Sequence, residues 1–148
     1  MSAFFTKGYN SAAVTVVFNG ALLDGFGPDS RVEITYPEQF TKVIGADGEV
    51  ARSKTNDQTC QVKLTLLQTS ASNDILSATH TLDATSPFGG GVGNLLIKDL
   101  LGTTLVACAQ AWIMKYADVA FAKEVGTREW TIDCGTTATL IGGNFPAA

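Results

Sequence analysis

The sequence predicts a mainly β chain, a β-sandwich or barrel with one short α-helix. Apolar and polar residues alternate with period two through most of it, as in strands with one buried and one wet face. Turn residues recur at short spacing between these runs, which favours a sandwich or barrel over alternating strands and helices. Only one stretch carries helix start signals.

The elements follow in order. Val14-Thr15-Val16-Val17-Phe18 leads into Asn19-Gly20, a two-residue hairpin signal, and Ala21-Leu22-Leu23 returns from it. Gly25-Phe26-Gly27-Pro28 ends that run. Arg31 to Tyr36 alternates, with Val32, Ile34 and Tyr36 on one face and Arg31, Glu33 and Thr35 on the other, until Pro37 stops the ladder. Phe40 to Ile44 is a short strand, Gly45-Ala46-Asp47-Gly48 a turn, and Glu49 to Arg52 a return. Ser53 to Gln58 is polar and loop-like. Cys60 to Gln68 is the best-marked strand: Cys60, Val62, Leu64 and Leu66 face one way, Gln61, Lys63 and Thr65 the other. Ser70 or Ser72 caps the helix, Asn73 and Asp74 lie in its first turn, and Ile75, Leu76, Thr79 and Leu82 form a partial apolar stripe. Its threonines lower helix propensity, which predicts a short helix held by packing. Ser86 to Gly91 is a flexible, Gly-rich connection. Asn94 to Leu100 is a strand, and Thr103 to Met114 a long one expected to be buried on both faces. In Thr127 to Cys134, Thr127, Glu129, Thr131 and Asp133 share one face and Arg128, Trp130, Ile132 and Cys134 the other. Thr136 to Ile141 closes the chain. The total is roughly eight to ten strands.

A chain of 148 residues fits one domain, 1–148, large enough for a core without staples. Charged residues make up only 16%, below the roughly 25% usual in globular proteins. Few charges and much Thr, Ala and Gly suggest a surface partly covered by other chains, although small Thr-rich β proteins share that composition. The net charge of −4, with Lys and Arg scattered, argues against a nucleic-acid-binding module. Three cysteines with no Cys-x-x-Cys pattern read as free thiols packed as small hydrophobes, in a reducing cytoplasm or a particle built there. No signal peptide and no membrane-spanning run is visible.

The search for chemistry finds no catalytic set, cofactor motif or metal site. His80 is the single histidine, without a partner signature for nucleophilic catalysis. Gly89-Gly90-Gly91-Val92-Gly93 lacks the Lys and Ser/Thr of a phosphate loop and lies after the helix, the wrong order for cradling phosphate. Asp47 and Glu49 flank a turn but fall short of a calcium ligand set. Trp112 and Trp130 could form a sugar platform if exposed together; as core or interface anchors they suit their apolar neighbours better.

Thr6-Lys7-Gly8-Tyr9-Asn10, Glu33 through Phe40, Gly45 through Val50, Arg52 through Asp57, Leu64 through Ser70 and Ser72-Asn73-Asp74 together carry a resemblance. Ile97 through Leu100, Gly102-Thr103-Thr104, Gly126 through Trp130 and Ile141-Gly142-Gly143 extend it over most of the chain. In these stretches the sequence resembles the tail tube (inner tube) proteins of contractile-tailed bacteriophages. The resemblance implies a non-enzymatic virion protein, made in the host bacterial cytoplasm, whose homohexameric rings stack into a conduit for DNA ejection. Each subunit would add strands to one continuous barrel. A tail sheath would surround it, a tape-measure protein would fill it before the genome passes without specific binding, and a baseplate and tail terminator would end it. A tube of a phage-tail-like secretion or bacteriocin particle is the nearer alternative, and a carbohydrate-binding β-sandwich the more distant one.

Three expectations follow. Arg31, Glu33, Thr35, Gln61, Lys63, Thr65, Glu129, Thr131 and Asp133 are candidates to line the lumen, because they alternate with positions that must face a core; an ordinary solvated sheet is the competing reading. The polar stretch Gly45 to Gln58, with Asp47, Glu49, Arg52, Lys54 and Asp57, is a candidate to contact the neighbouring ring, ordering only on stacking; a plain surface hairpin is the alternative. Phe4, Phe5 and Tyr9 near the N-terminus are candidates to pack on an adjacent subunit, or else on their own core.

Overall fold

The computed structural model describes residues 8–28 and 31–143. Among these are ten strands and one α-helix: β1 (Val14–Phe18), β2 (Ala21–Leu23), β3 (Val32–Thr35), β4 (Phe40–Ile44), β5 (Val50–Lys54), β6 (Cys60–Leu67), α1 (Ser72–Thr85), β7 (Gly93–Asp99), β8 (Leu105–Ile113), β9 (Thr127–Cys134) and β10 (Thr137–Leu140). The mainly β fold with a single helix is as the alternation predicts. At the first hairpin Asn19 and Gly20 both take positive φ, 51° and 81°, the geometry that an Asn-Gly pair supplies at low strain.

Eight strands form one antiparallel sheet in the order β2-β1-β7-β8-β9-β6-β3, with β10 also on β8. β9 and β10 run in one line along β8, since Cys134 opposes Ala111 and Thr137 opposes Cys108. One stretch of chain joins the two edges of this sheet. β2 pairs with β1 at one edge. The chain then turns at Asp24-Gly25 and joins β6 at the other. Leu67 N–H donates to Gly25 O at 2.8 Å, Phe26 bridges Leu66, Gly27 N–H donates to Thr65 O at 2.9 Å, and β3 continues along β6. The sheet is therefore rolled around its own apolar face.

The start of α1 locks that corner. Ser70 Oγ donates to Asp24 O at 2.7 Å, and the buried Ser72 Oγ accepts from Asp24 N–H at 2.9 Å and donates to its Oδ1 at 3.3 Å. Gly25 sits at φ 73°, and a Cβ there would run into the Ser70 side chain. Asn73 Nδ2 donates to Leu67 O and Ser70 O, while its Oδ1 accepts from Trp130 Nε1 at 3.0 Å, so helix, β6 and β9 share one polar tie.

The core lies inside the roll. Val16, Phe18, Leu23, Val62, Leu64, Leu66, Leu95, Ile97, Val106, Ile113, Trp130 and Ile132 meet there with Leu76 of the helix. Burying each large aliphatic side chain contributes about 1.5–3 kcal/mol. Cys60, Cys108 and Cys134 are buried free thiols within it. Burial pushes the Cys60 thiol up, and burial together with the neighbouring Cys60 pushes Cys134 far up, so both are protonated small hydrophobes at neutral pH.

Several expectations are corrected. The N-cap position is Ala71, which makes no side-chain hydrogen bond; Ser70 Oγ accepts from Ser72 N–H at 3.2 Å while donating to Asp24 O, and Ser72, already the first helical residue, is bound to Asp24. The helix runs 14 residues, longer than expected, with Thr79, Thr81 and Thr85 turning their hydroxyls onto carbonyls four residues back. Of its expected stripe only Leu76 is buried; Ile75 and Leu82 are exposed. β8 is not buried on both faces. Val106, Cys108, Ala111 and Ile113 point inward and Leu105 and Trp112 outward, with a register shift against β7 that preserves the inward set. β5 extends to Lys54, so the first two residues of the expected loop 53–58 are strand.

The corner predicts a contrast between two positive-φ glycines. Gly25→Ala should cost about 2–4 kcal/mol in urea unfolding, combining backbone strain with a clash against Ser70. Gly20→Ala, where nothing lies within 4 Å of the added Cβ, should cost about 1 kcal/mol. Equal losses would remove the corner from its place in the fold.

Candidate assembly surfaces

The expected wet face exists as one patch. Ladder partners place Glu33 beside Lys63 beside Thr131, Thr35 beside Gln61 beside Asp133, and Thr65 beside Glu129, across β3, β6 and β9. Arg31, just before β3, is opposite Thr65 through the Thr65 N–H bond to Arg31 O, and its guanidinium lies 4.9 Å from the ring centroid of Phe26, which packs against the core. Lys63 Nζ lies 3.4 Å from Glu129 Oε2, and Gln61 Nε2 donates to Asp133 Oδ1 at 3.2 Å. The candidate positions, Arg31 included, hold two cations and three anions, paired across strands rather than segregated by sign. Exposed pairs of this kind contribute little to stability.

The same ladder leaves an edge open. Thr65 N–H donates to Arg31 O, so Arg31, Glu33 and Thr35 direct their backbone groups at β6. Val32 and Ile34 direct theirs away from the sheet, with no backbone partner among the described residues. Between β8 and β9, residues 116–122 also make no backbone hydrogen bond among the described residues. In this stretch Val119 and Phe121 are exposed, Phe121 by 84%, and the Arg128 guanidinium lies 5.7 Å from the Phe121 ring centroid. The sequence reading assigned nothing here. The alternation of Ala117, Val119 and Phe121 with Asp118 and Ala120 was the available signal.

β4 and β5 form a separate two-stranded hairpin in which all ten strand residues are exposed. At its tip Asp47 Oδ1 accepts from Glu49 N–H at 3.3 Å, the turn role expected for that pair. Lys42 stands directly opposite Arg52, whose guanidinium lies 4.6 Å from the Phe40 ring centroid. Asp57, Arg52, Lys54, Asp47 and Glu49 are thus gathered on one projecting arm and its base. Asp57 Oδ1 accepts from Thr59 Oγ1 at 2.6 Å and Thr59 N–H at 3.0 Å. The side-chain bond, then the backbone bond, holds its carboxyl below the usual value of 3.8. Tyr9 is exposed; Phe4 and Phe5 lie outside the described residues.

No group of His, Cys, Asp and Glu able to hold a metal ion occurs among the described residues. His80 packs edge-on against Tyr116, with ring centroids 4.4 Å apart. Trp130 is buried and Trp112 points outward from the wet face, so the two cannot form one sugar platform. No helix of the described residues is long and apolar enough to cross a membrane.

Comparison with known proteins gives two matches. The family described as the bacteriophage PhiTE tail tube protein matches residues 13–142. Structural protein ORF10 of Pseudomonas phage KPP10 is 32% identical over 146 residues, spanning 94% of this chain and 84% of that protein.

The Asp57 bonds make a testable titration. A depressed carboxyl pKa stabilises the folded arm base above the usual range, and that contribution disappears as pH falls through the depressed value. The Asp57 carboxyl shift followed by NMR should titrate below 3.8, and Thr59→Val should return it toward that value. An unchanged midpoint in Thr59→Val would dissociate Thr59 from the effect.

Proposed function

We infer function from one premise: this chain belongs to the bacteriophage PhiTE tail tube protein family, a family of phage structural proteins. From it we propose that homohexameric rings of the chain stack into the tube of a contractile tail, the conduit for the genome. One observation supports this most: a separate hairpin whose ten strand residues are all exposed. A lone two-stranded hairpin is marginal in water, so this one is built to be covered, and a stacked ring supplies the cover.

The wet face across β3, β6 and β9 is proposed as the lumen wall. Its slight excess of anions repels phosphate weakly, which suits passage without binding. The open backbone of Val32 and Ile34 offers an edge for strand pairing within a ring, where closure abolishes edges. The N-terminal arm with Phe4, Phe5 and Tyr9 is proposed to pack on an adjacent subunit. Sheath, tape-measure protein, baseplate and tail terminator are the partners such a tube requires.

Negative-stain images of the purified chain should show six-fold rings or rods. Removing residues 46–56 should leave the melting of the body nearly unchanged and stop rod growth; rods of normal length from that variant would refute the arm's role. Removing residues 2–6 should lower assembly with little change in monomer melting. A large loss of monomer stability would assign Phe4 and Phe5 to the subunit's own core instead.

A further inference from the structure

The roll has a second outer face, and its character is opposite to the first. Leu22, Val17, Leu96, Ala107 and Ala138 are successive ladder partners across β2, β1, β7, β8 and β10. They form one apolar row on the outside of five adjacent strands. The next row continues it with Leu105 opposite Leu140, beside Lys98. Leu22, Leu96, Leu105 and Leu140 are all exposed. A contiguous apolar strip of this kind on a sheet marks a surface that is covered in the working state.

We propose that this row is the seat of the β4–β5 hairpin of a second copy of the chain. The proposal rests on the tube reading above and names the surface that receives the arm. Three observations select this occupant. First, the hairpin has one uncharged face. The ladder puts Thr41, Val43, Ala51 and Ser53 together, small side chains suited to a flat sheet. Second, the opposite hairpin face carries Lys42, Arg52 and Lys54 among the apolar Phe40, Ile44 and Val50. Lys98 beside the row would repel that face and leave the uncharged one to dock. Third, the dimensions agree. Five hairpin residues span about 17 Å, and five strands side by side span about 19 Å, so the arm can lie across the strands along the row.

Other seats are less suitable. The wet face carries Glu33, Lys63, Glu129 and Asp133, whose desolvation would oppose docking. Hairpin and row are both exposed in the single chain, so they do not cover each other within it.

The test uses two full-length variants, Val43→Cys and Leu96→Cys. The native thiols Cys60, Cys108 and Cys134 are buried and stay silent. The variants are mixed, allowed to form rods, and oxidised with a copper–phenanthroline catalyst. Disulfide-linked dimers should appear in the mixture and not in either variant alone. Rods without that dimer would overturn the placement and leave the tube reading intact. Leu96→Glu, at an exposed position, should leave monomer melting unchanged and weaken rod formation by about tenfold or more, the equivalent of ~1.4 kcal/mol. Normal rods from Leu96→Glu would refute the proposal. If the unmodified chain forms neither rings nor rods, the tube reading fails and this placement fails with it.

Discussion

The crossing of one stretch of chain, from β1 at Ala21 to β6 at Thr35, is what the rest of the structure depends on. Without it the eight strands would be an open sheet with its apolar face in water. With it, Phe18, Leu64, Leu66 and Ile132 share an interior, and the helix has a corner to anchor on. Because the crossing needs a left-handed residue with no side chain at Gly25, two serines and a glycine determine whether the sheet closes. The helix is correspondingly weakly buried. Only Ser72 and Leu76 are covered, and its first turn acts as a clamp more than as core.

Closing the sheet also creates two outer faces, and the sequence gives them different tasks. Across β3, β6 and β9 the outward positions are charged or hydroxylated and paired with each other. Across β2, β1, β7, β8 and β10 they are aliphatic. A protein working as a monomer would gain nothing from the second pattern, since exposed leucines on a sheet cost solubility. A subunit with water on one wall and a neighbour on the other requires both patterns. The arm is two-sided as well, with Thr41, Val43, Ala51 and Ser53 on one face and Lys42, Arg52 and Lys54 among Phe40, Ile44 and Val50 on the other.

Much of this was legible in the sequence because alternation reports burial directly. Cys60 to Leu67 and Thr127 to Cys134 have the faces that period two assigns. Eight of the nine polar positions named from alternation, all but Arg31, fall on one face because the ladder joins β3, β6 and β9 in register. Pairing order was not legible. Nothing local says that β1 lies beside β7, so Val17 and Leu96 could not be seen as neighbours in one apolar row. Ser70 and Ser72 have the local signature of caps, but Asp24, 46 and 48 positions away, binds both hydroxyls, and only Ser70 also accepts a helix N–H. The length of β5 was missed because Ser53 and Lys54 are weak strand formers held by pairing with Thr41 and Phe40. The segment from Lys115 to Val125 had no pairing to predict.

On the proposed tube reading the single chain is an incomplete structure whose arm a neighbour orders. Hydrogen exchange of the dissociated subunit and of assembled rods tests it most directly. Amides of β4 and β5 should exchange freely in the subunit and slow by about tenfold or more in rods, an opening cost raised by ~1.4 kcal/mol, while those of β6 stay protected in both. Equal exchange of β4 and β5 in the two states would contradict the claim, leaving the hairpin as a surface ornament of a chain that assembles by other means.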